Sequence, residues 1–172
     1  GRPETRFARS GDLHIAWQAV GQGEPDLVIV PGFISHVECL WDDPPLAAFL
    51  RDLSASTRVI LFDKRGLGLS DRAGRAPTLE DTMQDLLAVM DAAGSRRAVV
   101  MGVSEGGPAA AMAAAARPDR VAGLVLYGTM ARGSWCEDHP WALRREQYDL
   151  WLRALVEGWG RPANLELFAP SR

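Results

Sequence analysis

Gly102-Val103-Ser104-Glu105-Gly106-Gly107 is the stretch that decides the fold. It follows the apolar run Ala98-Val99-Val100-Met101 and precedes the alanine-rich segment Ala109 to Arg117. The order predicts a buried strand, a sharp turn with a serine at its apex, and a helix. Such a turn lifts one hydroxyl clear of the backbone and aims it into a cleft above the sheet, as a nucleophilic serine requires. The apex residue is strained and its neighbours in strand and helix come close, so a Cβ at the flanking glycines would collide. Pro108 falls near the first helical turn, where a missing N–H costs little.

The G-x-S-x-G pattern has about 0.09 chance matches expected from composition alone, so its context carries the weight. The competing readings are an ordinary glycine-rich strand-to-helix turn and a phosphate-binding turn. A dinucleotide site would want G-x-G-x-x-G and a P-loop would end in G-K-[ST]; neither string occurs here.

Working towards the N-terminus, Val59-Ile60-Leu61-Phe62 is a further buried strand running into Asp63-Lys64-Arg65-Gly66-Leu67-Gly68. A helix is predicted from Thr78, with Asp81 as its capping-box acid, an apolar face of Leu79, Met83, Leu86, Leu87 and Met90, and Gly94 just past its end. Leu46, Phe49, Leu50 and Leu53 recur at i, i+3, i+4, i+7 and mark a short helix. Leu27 to Val30 is apolar on both faces, as in a covered parallel sheet. Thr5 to Arg9 and Leu13 to Val20 flank Ser10-Gly11-Asp12 as a hairpin, with Leu13, Ile15 and Trp17 alternating against His14, Ala16 and Gln18. Beyond the elbow, Val121 to Tyr127 is one more strand. Strands alternating with helices imply an α/β fold with a mostly parallel sheet covered on both faces.

From Gly133 the character changes. Pro140 to Trp159 reads as helical, with Tyr148, Trp151, Leu155 and Trp159 on one face. That face suits either core packing or a lid over an active site.

The 172 residues are 47% apolar, enough for one substantial core. Net charge is −3 with basic residues scattered among acids, which argues against a nucleic-acid partner. Cys39 and Cys136 fit no disulfide framework or metal motif, so two reduced thiols and a cytoplasmic location are expected. No apolar run approaches a membrane span, and no cofactor or metal is implied.

The hairpin, Val30-Pro31-Gly32-Phe33, the Asp63-Lys64-Arg65-Gly66-Leu67-Gly68-Leu69-Ser70 segment and the elbow, in that order, resemble the α/β-hydrolase family over roughly Thr5 to Thr129. The flavour of Gly-Val-Ser-Glu-Gly-Gly is similar to bacterial hydrolase modules found alone or joined to cyclase or regulator domains. The resemblance implies a three-layer fold with the early hairpin at its antiparallel edge and the last strands lacking. Residues 1–132 would be the N-terminal part of the core, and 133–172 the start of a helical lid, cap or tail. It also implies Ser104 as nucleophile, the backbone N–H groups of Phe33 and Glu105 as oxyanion hole, and Gly32 and Trp151 as substrate-binding residues. Pro31 replaces the histidine many relatives carry before that glycine, removing a side chain that often braces the loop.

A serine hydroxyl needs a histidine to take its proton. His14 reads as a strand-surface residue, His36 as a loop residue at the pocket rim or in solvent, and His139 as part of the tail. Asp63 is expected to brace the Arg65-Gly66 turn. In the family the acid and base follow later strands, so both are expected outside this chain. Two functions stay open: a serine hydrolase cleaving an ester, or less readily an amide, of a small apolar substrate, and a non-catalytic ligand-binding or regulatory module. An open sheet edge would make the chain a homo-oligomer or part of a longer polypeptide.

Overall fold

The computed structural model describes residues 2–160. Their contacts form two compact units, one through Ala131 and one from Arg132 onward.

The first unit is built on six strands: β1 (Arg6–Ser10), β2 (Leu13–Val20), β3 (Asp26–Val30), β4 (Arg58–Phe62), β5 (Ala98–Val103) and β6 (Val121–Tyr127). They lie in the order β1-β2-β4-β3-β5-β6. β1 and β2 form the expected hairpin, β2 runs antiparallel to β4, and the β4-β3-β5-β6 pairs are all parallel. Helix α1 (Pro44–Ser54) joins β3 to β4, α2 (Leu79–Ala92) joins β4 to β5, and α3 (Gly107–Ala116) joins β5 to β6.

This order fixes the layers. The chain leaves β3 towards β4, then reverses and crosses back to β5 and β6. Right-handed crossovers must therefore put α1 on one face and α2 and α3 on the other. The core divides accordingly. Ala47 and Leu50 of α1 pack with Leu27, Val59 and Leu61, whereas Leu86, Val89 and Met90 of α2 and Ala110 and Ala113 of α3 pack with Val28, Val30, Ile60, Phe62 and Val100. Alternate residues of one strand thus serve opposite layers, which is why these runs are apolar throughout. The reversal also makes the gap between the C-terminal ends of β3 and β5 a topological switch point, where open α/β sheets place their crevice.

Local signals are realised where predicted. Thr78 caps α2: its hydroxyl accepts from the Asp81 N–H, and the Asp81 carboxylate accepts from the Thr78 N–H. Gly94 follows the helix in the left-handed region at φ 69°. Pro108 occupies the first turn of α3.

Three expectations need correction. β2 is an interior strand, and Val37 and Trp41 cover the face that carries Ala16 and Gln18, so both are buried rather than outward-facing. Gln18 is accommodated by polar partners: its Oε1 accepts from Trp41 Nε1 at 2.7 Å, and its amide donates to Thr5 Oγ1 at 2.9 Å. Phe49 does not join the core face of α1 and is 46% exposed.

The third correction concerns the second unit, whose helix α4 spans Arg145–Glu157 rather than starting at Pro140 and reaching Trp159. Residues 134–143 spend their backbone hydrogen bonds on turns and bridges instead: the Trp135 N–H donates to the Leu143 carbonyl, and the His139 N–H to that of Cys136. Gln147 Oε1 then accepts from the Arg144 N–H at the helix start. Among the described residues no helix is long and apolar enough to cross a membrane.

Candidate active site

Ser104 directly follows β5 with φ 51°, and it is the one non-glycine residue with positive φ among those described. Holding a serine there costs about 1–3 kcal/mol, and such strain persists only where the surroundings enforce it. They do so by close approach. A Cβ on Gly102 would lie 2.6 Å from Gly107 Cα, and one on Gly106 would lie 2.4 Å from the Val30 carbonyl oxygen. One on Gly107 would lie 2.1 Å from Thr129 Oγ1. The glycines therefore let strand, turn and helix meet at distances no side chain permits. A 3₁₀ turn over Ser104–Gly106 leads directly into α3, so the positive end of that helix lies behind the elbow.

Gly32, at the end of β3, faces this turn across the switch point. A Cβ built on it would lie 3.3 Å from Ser104 Cβ and 3.8 Å from Oγ. The loop carrying Phe33 and the elbow carrying Glu105 thus converge beside an exposed serine hydroxyl. A cavity of about 640 Å³ lies next to this point, between α1 and the sheet; Gly32 and Val103 line its end nearest Ser104, and Leu46, Phe49, Leu61 and Met101 line its body, while Ser104 itself is not in its wall. Its walls are overwhelmingly apolar, so it suits a hydrocarbon group better than a charged one.

The segment after β4 ties the site together through three consecutive side chains. Asp63 does not brace the Arg65-Gly66 turn as expected. Its carboxylate accepts from Ser35 Oγ at 2.7 Å, the Val37 N–H at 3.2 Å and the Leu69 N–H at 3.0 Å, and it fills the space where a Cβ on Gly68 would fall. Lys64, buried, forms an ion pair with Glu105. Arg65 turns to α2: its guanidinium donates to both oxygens of Asp85 at 2.6 and 2.9 Å and to Asp81 at 2.9 Å. Asp81 also takes Arg75, whose hydrogen bond, with that of the Thr78 N–H, holds its carboxyl well below the usual carboxylate range. Ser70 closes the segment, accepting from the Ala16 N–H and donating to the Asp63 carbonyl. Sequence reasoning missed the Lys64–Glu105 and Arg65–Asp85 pairs. The one available signal was the pair Asp81 and Asp85 at i, i+4, which falls outside the helix face read as apolar but is buried.

The first unit's histidines are engaged elsewhere. His14 Nδ1 is 2.9 Å from Asp71 Oδ2, and His36 Nδ1 accepts from the Cys39 N–H at 3.4 Å. Among the described residues of this unit no side chain hydrogen-bonds Ser104 Oγ. In the second unit His139 Nδ1 lies 3.5 Å from Cys136 Sγ, and Trp151 stands on α4 with its ring 5.8 Å from that of Tyr148. Among the described residues no three His, Cys, Asp or Glu side chains are placed to hold a metal.

The chain is similar to known proteins. Residues 25–168 match the family model of the alpha/beta hydrolase fold. The pimeloyl-[acyl-carrier protein] methyl ester esterase of Serratia marcescens is 30% identical over 138 residues, covering 78% of this chain and 49% of that protein. The human mitochondrial palmitoyl-protein thioesterase ABHD10 is 29% identical over 126 residues, covering 73% and 40%. A thermophilic esterase from Thermogutta terrifontis superposes with a TM-score of 0.67 at 26% identity, covering 91% of this chain and 55% of that one. The chain spans about half the length of the curated relatives it matches, or less. With the family model covering most of its length, and strand order, elbow and switch point all of that kind, the chain belongs to the alpha/beta hydrolase fold family.

Proposed function

We propose that this chain carries the nucleophile and oxyanion hole of a serine hydrolase that cleaves an ester of a small apolar substrate. The observation that carries the reading is Ser104 at φ 51°, exposed at the strand-to-helix turn and facing Gly32. Strain of this kind at a cleft is retained where it serves chemistry.

In this reading Ser104 Oγ attacks the ester carbonyl while a histidine takes its proton. The carbonyl oxygen becomes an oxyanion and is received by the backbone N–H groups of Phe33 and Glu105. Each such donor contributes about 3 kcal/mol in the transition state. The tetrahedral intermediate collapses, the alcohol leaves with that proton, and an acyl group remains on Ser104. Water, deprotonated by the same histidine, attacks the acyl-enzyme, releases the acid and restores the serine. The histidine and its acid are contributed from outside the described residues. The apolar cavity beside Gly32 takes the hydrocarbon part of the substrate. The names of the two curated relatives, a methyl ester esterase and a thioesterase, support acyl esters as the substrate class.

One observation favours a second reading, a ligand-binding or regulatory module: neither His14 nor His36 bonds Ser104. A fluorophosphonate separates the two. An activated Ser104 is phosphonylated, identified by peptide mass and abolished in Ser104→Ala. A polypeptide that stays unlabelled while binding apolar ligands would establish the second reading instead.

A further inference from the structure

Lys64 is buried, with its side chain 5% exposed, whereas Glu105, its ion-pair partner, is 57% exposed. A lysine is almost never placed so deep unless something holds its charge. Here the holder is the residue immediately after Ser104. β3 lies between β4 and β5, so the pair joins the ends of two strands that are not neighbours. It does so across the strand whose continuation carries Gly32 and Phe33.

We infer that Lys64 is a positioning residue for the oxyanion hole, acting through the Glu105 side chain on the peptide that joins Ser104 to Glu105. The inference rests on the serine-hydrolase reading, because that peptide carries the N–H assigned to the oxyanion. Ser104 is strained, and relaxing its φ would rotate the same peptide. A tether on Glu105 opposes the rotation. Asp63, one residue earlier, fixes the opposite arm through Ser35 Oγ and the Val37 N–H. Two consecutive residues at one strand end therefore set the separation of the two donors. The exposed glutamate is not itself a group the substrate must touch; its value lies in what its backbone does.

The test is Lys64→Met, Lys64→Arg and Glu105→Gln in the full polypeptide, measured by turnover of a short p-nitrophenyl ester and by hydrogen exchange of the elbow peptide. An oxyanion exists only in the transition state, so Lys64→Met should lower kcat about tenfold with KM within about twofold. Lys64→Arg, which keeps the charge, should recover to within about threefold of wild type, and Lys64→Met/Glu105→Gln should be no slower than Lys64→Met alone. Amides of residues 103–107 should exchange at least about fivefold faster in Lys64→Met and Glu105→Gln, with α2 unchanged. Lys64→Met/Glu105→Gln leaves no buried charge unpaired, and its elbow exchange keeps the experiment decisive if Glu105→Gln alone does not fold. Wild-type exchange at the elbow in Glu105→Gln, or a rise in KM alone, overturns the inference. Faster elbow exchange in a polypeptide whose wild type neither turns over ester nor labels with fluorophosphonate sinks the hydrolase reading and leaves the tether standing.

Discussion

Gly106→Ala tests the close approach on which the elbow depends. The new Cβ would sit 2.4 Å from the Val30 carbonyl oxygen, 2.5 Å from that of Pro31 and 2.9 Å from the Val30 carbonyl carbon. All three are backbone atoms, and β3 is paired on both edges, with Val30 itself in register with Gly102. Neither side can swing away as a side chain would. Overpacking a tight site costs about 1–3 kcal/mol, and the upper end applies where backbone must move. Against this, Gly106 has φ −73°, which alanine adopts freely, so the restricted unfolded chain returns about 0.4–1 kcal/mol. The net expectation is a loss of about 2 kcal/mol.

Urea denaturation followed by far-ultraviolet circular dichroism reads this directly, since a slope of about 1–3 kcal/mol/M turns the loss into a midpoint lower by about 0.7–2 M. Gly74→Ala is the control: nothing lies within 4 Å of its Cβ and its φ is not in the left-handed region. It should match or exceed wild-type stability. Displacing Val30 and Pro31 also moves Gly32 off Ser104, so labelling of Ser104 by fluorophosphonate should slow about tenfold while the variant is still folded. If Gly106→Ala and Gly74→Ala unfold at midpoints within about 0.3 M of each other, the close-packing account is wrong.

Four further outcomes are expected. Ser104→Ala should abolish ester turnover and fluorophosphonate labelling; alanine keeps the Cβ and the same left-handed backbone and removes only an exposed hydroxyl, so the denaturation midpoint should stay within about 0.5 M of wild type. Asp63→Asn exchanges an acceptor of three hydrogen bonds for an amide that opposes buried N–H groups, so it should cost about 3 kcal/mol in the same assay. The Asp81 and Asp26 carboxyls are held below their usual range, chiefly by hydrogen bonds from Arg75 and Arg58 respectively. The unfolded chain therefore binds protons more readily, and the stability these groups supply above about pH 4 should be lost as pH falls below it, more weakly in Arg75→Ala. β6 pairs with β5 on one edge, and Leu124, Val125, Leu126 and Tyr127 are exposed, so the 172-residue chain should self-associate in sedimentation experiments and Val125→Lys should shift it towards monomer.

The parts of this molecule legible in its sequence are those whose cause is local. Ser104 at the elbow, Thr78 with Asp81, Gly94 and Pro108 each answer to residues within a few positions, and each stands where the pattern put it. Apolar runs were equally readable, because a strand covered on both faces leaves no alternative. Gln18 shows where such reasoning stops: its alternation with Trp17 was real, but burial of the polar face was decided by Val37 and Trp41, which arrive from the segment after β3. The Asp63-Lys64-Arg65 segment was conspicuous as a string, yet its tasks were hidden for the same reason. Asp63 answers to the loop after β3, Lys64 to the elbow after β5 and Arg65 to α2, three elements far apart in the chain that meet only because β4 stops beside the switch point. Each side chain is thus fixed by a different distant partner, and the three choices have nothing in common except the strand end from which they diverge. That divergence lets one short segment fix the loop after β3 and the serine turn together, and it leaves no periodicity for a reader of the sequence to find.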